Sequence, residues 1–257
     1  MIIFYTLLSR EIKRFMKVIV QTVVSPFVTS FLYLLVFGVS LGSQVNDPHG
    51  LPYLAFLIPG LVMMSLMNNA FQNTSSSIVT SKFSGDLEDI RVAPITNHQI
   101  IWAMIIGALV RGSVVGLVTY VVGTSFYYYM QGNFLGVSHP LILFYFVIAG
   151  GFIFGLIGIC IAFWAKTFDQ LSAFSAFILL PLTYLGGVFI SIKSLHPFWQ
   201  MISEWNPLLY LINGLRYGVL GVSDVDITRS VIVSVVGFVS FYFLAFWSLK
   251  KGSFQRW

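Results

Sequence analysis

The chain has 257 residues, of which 57% are hydrophobic and 9% charged, with 14 basic against 9 acidic side chains, a net charge of +5 and a mean hydropathy of +0.87. Too few polar residues remain to wrap a water-soluble core, so a soluble globular protein is excluded. Long unbroken apolar runs, in place of short alternating segments, also exclude a β-barrel and leave an all-α integral membrane protein.

In residues 1–17, Phe4, Leu8, Ile12 and Phe15 recur at helical spacing, a series that Ile19 extends, while Arg10, Lys13, Arg14 and Lys17 fall on the other side. This predicts an amphipathic helix lying in the membrane interface, its apolar face in lipid and its basic face toward headgroups and cytoplasm. It is a membrane anchor, or it also collars a partner docking from the cytoplasm. The basic residues follow an apolar opening and no small-residue cleavage site comes after a short apolar core, so no cleaved signal is expected.

Six apolar runs follow, at residues 18–41, 53–71, 100–120, 141–164, 171–190 and 230–249, each close to the length that crosses about 30 Å of hydrocarbon. They make one transmembrane domain of the whole chain, 1–257. With the N-terminus in the cytoplasm, Arg10, Lys13, Arg14, Lys17, Lys82, Arg91, Lys166, Lys250, Lys251 and Arg256 lie inside, and only Lys193, Arg216 and Arg229 lie outside. That asymmetry sets both termini in the cytoplasm. Topology and anionic headgroups account for the basic excess, and no nucleic-acid partner is expected.

The second and third runs are joined by residues 82–98, where Asp86, Glu88 and Asp89 gather three of the nine acidic residues. Phe83, Leu87, Ile90 and Pro94 share one helical face. Asp86 is placed to cap a short helix, acidic residues suit its first turn, Glu88 and Arg91 are spaced to pair, and Pro94 ends it. A two-turn amphipathic helix on the cytoplasmic face follows, either a docking surface or a solvated loop.

In the third run, Arg111 lies about 16 Å deep if the span begins near Ile100. A central Arg costs on the order of 3 kcal/mol to insert, so it faces protein or a watery cavity, with a functional or a purely structural role. No acidic residue stands inside a span to name as its counter-ion. Gly112 with Gly116 and Gly151 with Gly155 are spaced for close helix contact, and Pro26, Pro59 and Pro181 interrupt their spans. Cys160 lies in an apolar run with no second cysteine, an inert thiol.

Residues 191–228 are long for an external loop but aromatic, with Phe198, Trp199, Trp205 and Tyr210, and are divided at Asn206 and Pro207. Two short helices dipping into the outer leaflet are expected, the plainer alternative being an interfacial aromatic belt. No Gly is followed by Lys, so no P-loop ending occurs. The four histidines are scattered, no metal or cofactor site is expected, and no catalytic triad or carboxylate pair is visible. Energy for any transport must come from a partner or an ion gradient.

LEDIRVAPI at Leu87 to Ile95, AKTFDQ at Ala165 to Gln170, PLTYLGGVF at Pro181 to Phe189 and NPLLYLINGLRYG at Asn206 to Gly218, taken with the six spans, resemble the permease subunits of ABC-2 type transporters, in particular the YadH-like bacterial inner-membrane branch. The resemblance covers nearly the whole chain. It implies a homodimer, two copies of a separate cytoplasmic ATPase that binds the ATP and Mg, export across the inner membrane, and no catalytic residue in this chain. It also implies that Asp86, Leu87, Glu88, Asp89, Ile90, Arg91, Val92, Ala93 and Pro94 form the coupling helix received by the ATPase, with Lys166 and Asp169 as further candidates. The external segment, implied to be re-entrant, is the expected gate, with Phe198, Trp199, Trp205, Tyr210 and Arg216. The expected cargo is lipophilic, amphipathic or glycan-type. An ion-driven secondary transporter would carry acidic residues or broken helices at the midplane, and a membrane enzyme a polar catalytic cluster at one depth.

Overall fold

The computed structural model describes residues 2–40, 50–86 and 93–251. Helix α1 spans Ile2–Met16, and α2 spans Ile19–Tyr33 before widening into π-type turns at Leu34–Ser40. Then come α3 Tyr53–Ser84, α4 Asn97–Gln131, α5 Pro140–Trp164 and α6 Phe168–Phe174. A wide-turned stretch, Ser175–Leu179, joins α6 to α7 at Leu180–Leu185, and α8 Pro197–Glu204, α9 Pro207–Leu220 and α10 Ile227–Lys251 complete the chain. Among the described residues six helical stretches are long and apolar enough to cross a membrane: α2 with its extension, α3, α4, α5, α6 with α7, and α10. No strand occurs among the described residues.

The expected second and third spans are cores of much longer helices, α3 with 32 residues and α4 with 35. At 1.5 Å per residue these are about 48 and 52 Å long. In α3 no Gly or Pro intervenes between Leu61 and Ser84, so the polar residues after Phe71 continue the helix instead of ending it. Both helices stop where Gly85 and Gly132 take positive φ, a left-handed conformation that costs a side chain but not glycine. Thr96 begins α4 with a capping box, accepting from the Gln99 amide at 3.3 Å while the Gln99 side chain accepts from the Thr96 amide at 3.0 Å.

Helix α3 is the hub. Of its apolar window 89% is buried, against 22% for α2, 17% for α6 with α7 and 17% for α10. The glycine pairs seat α4 on its neighbours. A Cβ at Gly112 would stand 2.8 Å from the Leu66 carbonyl oxygen of α3, and one at Gly151 3.2 Å from Leu109 Cα of α4. Pro181, which cannot donate to an α-helical carbonyl, comes two residues after the end of the wide-turned stretch, which absorbs the mismatch.

The start of α4 and the end of α10 share the basal end of the bundle, where His98 Nδ1 and the Tyr242 hydroxyl are 2.6 Å apart and the His98 ring stacks on Phe246. Helix α1 packs there on α4. Its inward stripe is Leu7, Glu11 and Phe15, so the face expected to be wholly apolar holds a fully buried acid at its centre. The start of α3 meets α9 at the distal end, where the Tyr53 hydroxyl donates to the Phe189 carbonyl at 2.8 Å.

Candidate functional site

At the basal end the residue run leading into the segment expected to meet a partner lies against the turn that holds Lys166 and Asp169. Leu87, Glu88, Asp89, Ile90, Arg91 and Val92 lie outside the described residues, as does the helix expected there. Their flanks are placed: Asp86 is exposed, Ala93 half-buried and Pro94 exposed. Lys166 and Asp169 are exposed in the turn leading into α6, where the Lys166 amide donates to Gln170 Oε1 at 2.6 Å and Thr167 caps the helix. Phe83, just before Asp86, stacks on Phe168 with ring centroids 5.7 Å apart and planes 8° from parallel. Such a pair contributes about 1 kcal/mol and ties the two segments together.

Lys82 fixes this platform to the spans. Its Nζ is buried and donates to the carbonyls of Ala162 at 2.7 Å, Phe163 at 3.3 Å and Ala165 at 3.4 Å. These are acceptors at the end of α5, where the helix dipole favours a cation. Lys82 thereby ties the end of α3 to the end of α5. The sequence showed Lys82 only as a topology signal, because neither a hydropathy run nor a motif indicates which helix end it reaches.

Helix α1 is clamped to the same platform by charge. Glu11 accepts from Ser77 Oγ of α3 at 2.8 Å and from Arg10 at 3.3 Å, and its other oxygen lies 3.6 Å from Arg14 Nε. Arg14 in turn donates to Ser76 Oγ at 3.0 Å and to the Asn73 carbonyl. Burial lowers the Arg14 guanidinium from its ordinary value; Glu11 offsets part of this, and Arg10 adds to it. It stays charged, as a guanidinium does at any ordinary pH. Tight packing holds the clamp in place, since a Cβ at Gly107 of α4 would stand 2.9 Å from Glu11 Cβ.

Arg111 lies near the middle of α4 and lines two cavities, one of about 300 Å³ between α2 and α3 and one of about 660 Å³ between α3 and α6. The walls are polar. Asn68, Asn69 and Gln72 come from α3, Gln21, Ser25 and Thr29 from α2, and among the described residues no acidic one lines either cavity. Sequence reasoning singled out none of these α3 amides: Asn68 and Asn69 lie within the expected span and Gln72 just past its end at Phe71, and their spacing of three and four residues was the available signal.

At the distal end Phe198, Trp199 and Trp205 are exposed, and the Tyr210 hydroxyl donates to the Glu204 carbonyl at 2.9 Å. Asn206 caps α9, accepting from the Leu208 amide at 3.0 Å. Arg216 departs from the expected aromatic surface and is 1% exposed. Its Nη2 donates to the Gly187 carbonyl at 2.7 Å, its Nε to the Phe56 carbonyl at 3.4 Å and its Nη1 to Asn213 Oδ1 at 3.3 Å, and it lies 3.7 Å from the centre of the Phe56 ring. It locks α9, α3 and the loop after α7 together. Its position in the external segment put it beside the aromatics, but α9 turns it inward.

Residues 3–220 match the family model described as ABC-2 type transporter. The chain is 41% identical over 244 residues to the inner membrane transport permease YadH of Escherichia coli K12, covering 95% of this chain and 93% of that protein. It is 24% identical over 198 residues to nodulation protein J of Neorhizobium galegae, covering 77% and 73%. Against nodulation protein J of Rhizobium leguminosarum bv. trifolii it is 25% identical over 226 residues, covering 86% and 82%.

Proposed function

The chain belongs to the ABC-2 type transporter family, and from that membership we propose that it is the membrane-spanning subunit of an exporter driven by ATP hydrolysed on a separate cytoplasmic subunit. The basal platform carries this reading. It offers exposed Asp86, Pro94, Lys166 and Asp169, joined through the Phe83–Phe168 stack and through Lys82 to the two most central helices. A partner that pushes on it moves α3 and α5 as one body.

In this reading the basal end faces the cytoplasm, which the excess of basic residues there supports. Two permease copies pair through spans that one copy leaves largely uncovered, α2 and α6 with α7 among them. Two ATPase copies bind ATP and Mg, close on each other, and draw the coupling segments with them. The distal aromatic segment around Phe198, Trp199 and Trp205 then yields, and an amphipathic or glycan-type cargo leaves outward.

The test is a charge reversal, Glu88→Lys with Asp89→Lys, in tagged permease expressed with its ATPase. Membrane insertion and detergent extraction should persist while the ATPase no longer co-purifies. Normal recovery of the complex would sink the coupling assignment.

A further inference from the structure

Depth comes first. Helix α5 has 25 residues, about 37 Å at 1.5 Å each, enough to cross the membrane once. Its basal end is pinned to Lys82, and Thr74 Oγ1 donates to the Gly155 carbonyl at 2.8 Å. Gly155 lies nine residues before Trp164, so Thr74 stands about 13 Å above that end, and Gln72 and Asn68 about 3 to 9 Å higher. That is the middle of the bilayer.

Polar side chains at that depth must be satisfied or they cost several kcal/mol each, roughly the price of an amide in hydrocarbon. Among the described residues no hydrogen bond engages the side chains of Gln21, Ser25, Asn68 or Gln72, and none engages Arg111, whose Nε is shielded from solvent. Arg14 bears on Arg111 as a like charge, so the protein supplies repulsion there and no visible counter-ion. The four N–H donors on its two Nη atoms are thus left to a chamber whose other polar groups are amides and hydroxyls.

The approach is also basic. A cavity of about 790 Å³ at the basal end is lined by Arg10, Lys13, Arg14 and Lys17, with Asp86 its one acid. Beside the chamber an open groove runs along Val20, Val24 and Val28 of α2 and shares Gln21, Ser25 and Thr29 with it.

We propose that Arg111 and the amide stripes of α2 and α3 form a water-filled mid-membrane site for an anionic, hydroxyl-bearing headgroup. The guanidinium takes the phosphate, sulfate or carboxylate, and Asn68, Gln72 and Gln21 take the hydroxyls. An attached apolar tail lies along the valine groove. Only the description of this ligand as cargo rests on the exporter reading.

The site is tested without transport. Cys160 is replaced by Ala, and Asn68→Cys or Leu117→Cys is introduced; Leu117 is exposed on the membrane-spanning α4 and lines neither cavity. Anionic sulfonatoethyl and cationic trimethylammonioethyl methanethiosulfonates are applied to permease in nanodiscs, each rate being normalised to that of a free thiol. Cys at position 68 should react about tenfold or more faster with the anion, as a focused positive field dictates. Arg111→Gln should erase this preference, and Arg111→Lys should keep most of it. The Leu117→Cys control should react with neither reagent.

A position 68 that stays unlabelled, or labels equally or faster with the cation, overturns the site. If Arg111→Gln does not fold, the preference at position 68 still decides. Protection by phosphatidylglycerol alone assigns a lipid-borne head, and protection also by soluble glycerol phosphate assigns the headgroup by itself; protection by neither overturns the ligand class. Failure here leaves the ATPase co-purification result standing, and the reverse also holds.

Discussion

Two arginines inside the bundle meet opposite fates. Arg216, at the distal end, spends its donors on Gly187, Phe56 and Asn213 and lays its plane on the Phe56 ring. Arg111, at mid-depth, faces cavities and has no hydrogen bond to any described residue. Burial alone therefore does not mark a functional cation. What separates a strut from a binding group is whether the surrounding backbone already uses up its donors.

Three substitutions break or sharpen that contrast, from the largest effect on stability to the smallest. Arg216→Met removes the shared donor from two carbonyls and an amide oxygen that remain buried. A loss of about 3 kcal/mol or more is expected from bonds to a charged group, read by thermal unfolding in detergent. A loss below about 1 kcal/mol would show that water replaces the guanidinium and would remove the strut assignment.

Next comes Glu11→Ala, at the basal end. It leaves Arg14 partly buried beside Arg10 without its carboxylate, and a cost of about 3 kcal/mol is expected from breaking such a pair. Because the clamp joins α1 to α3 and α4, protease cleavage near Lys13 and Lys17 should rise, while Glu11→Gln, which keeps an acceptor for Ser77, should cost less. Equal cleavage in wild type and Glu11→Ala would mean that apolar packing through Leu7 and Phe15 holds α1 unaided.

Arg111→Met should change stability least, by about 1 kcal/mol or less in either direction, since Arg111 holds no hydrogen bond to a described residue whose loss would orphan an acceptor. Transport should nevertheless fall sharply in the same variant, measured by ATP-dependent uptake into inverted vesicles supplied with the partner ATPase. Destabilisation as large as that of Arg216→Met would make Arg111 a second strut.

The apolar runs and their separation follow from hydropathy, a local property that the six long helices of the bundle retain. Turn chemistry was equally readable: Asn206 and Pro207 open α9, and Gly112 and Gly151 sit at helix crossings. The polar half of α3 was not. Asn, Ser and Thr lower the hydropathy of residues 68–81 to that of a loop, but here Thr74 bonds to α5 and Asn73 and Ser77 pack beneath α1. A residue's environment outweighs its transfer energy once partners are supplied, and partners come from other helices.

Class, span number, basic asymmetry and the family-bearing motifs were determined by the sequence by itself, because each depends on residues near one another in the chain. Which charges are paired was decided only by the tertiary structure. Glu11 reaches Ser77 across 66 positions, Lys82 reaches Ala162 across 80, and Arg216 reaches Phe56 across 160. No local pattern encodes such contacts, since side-chain bonds between helices depend on how the helices rotate as they pack, and that rotation is set by the whole bundle.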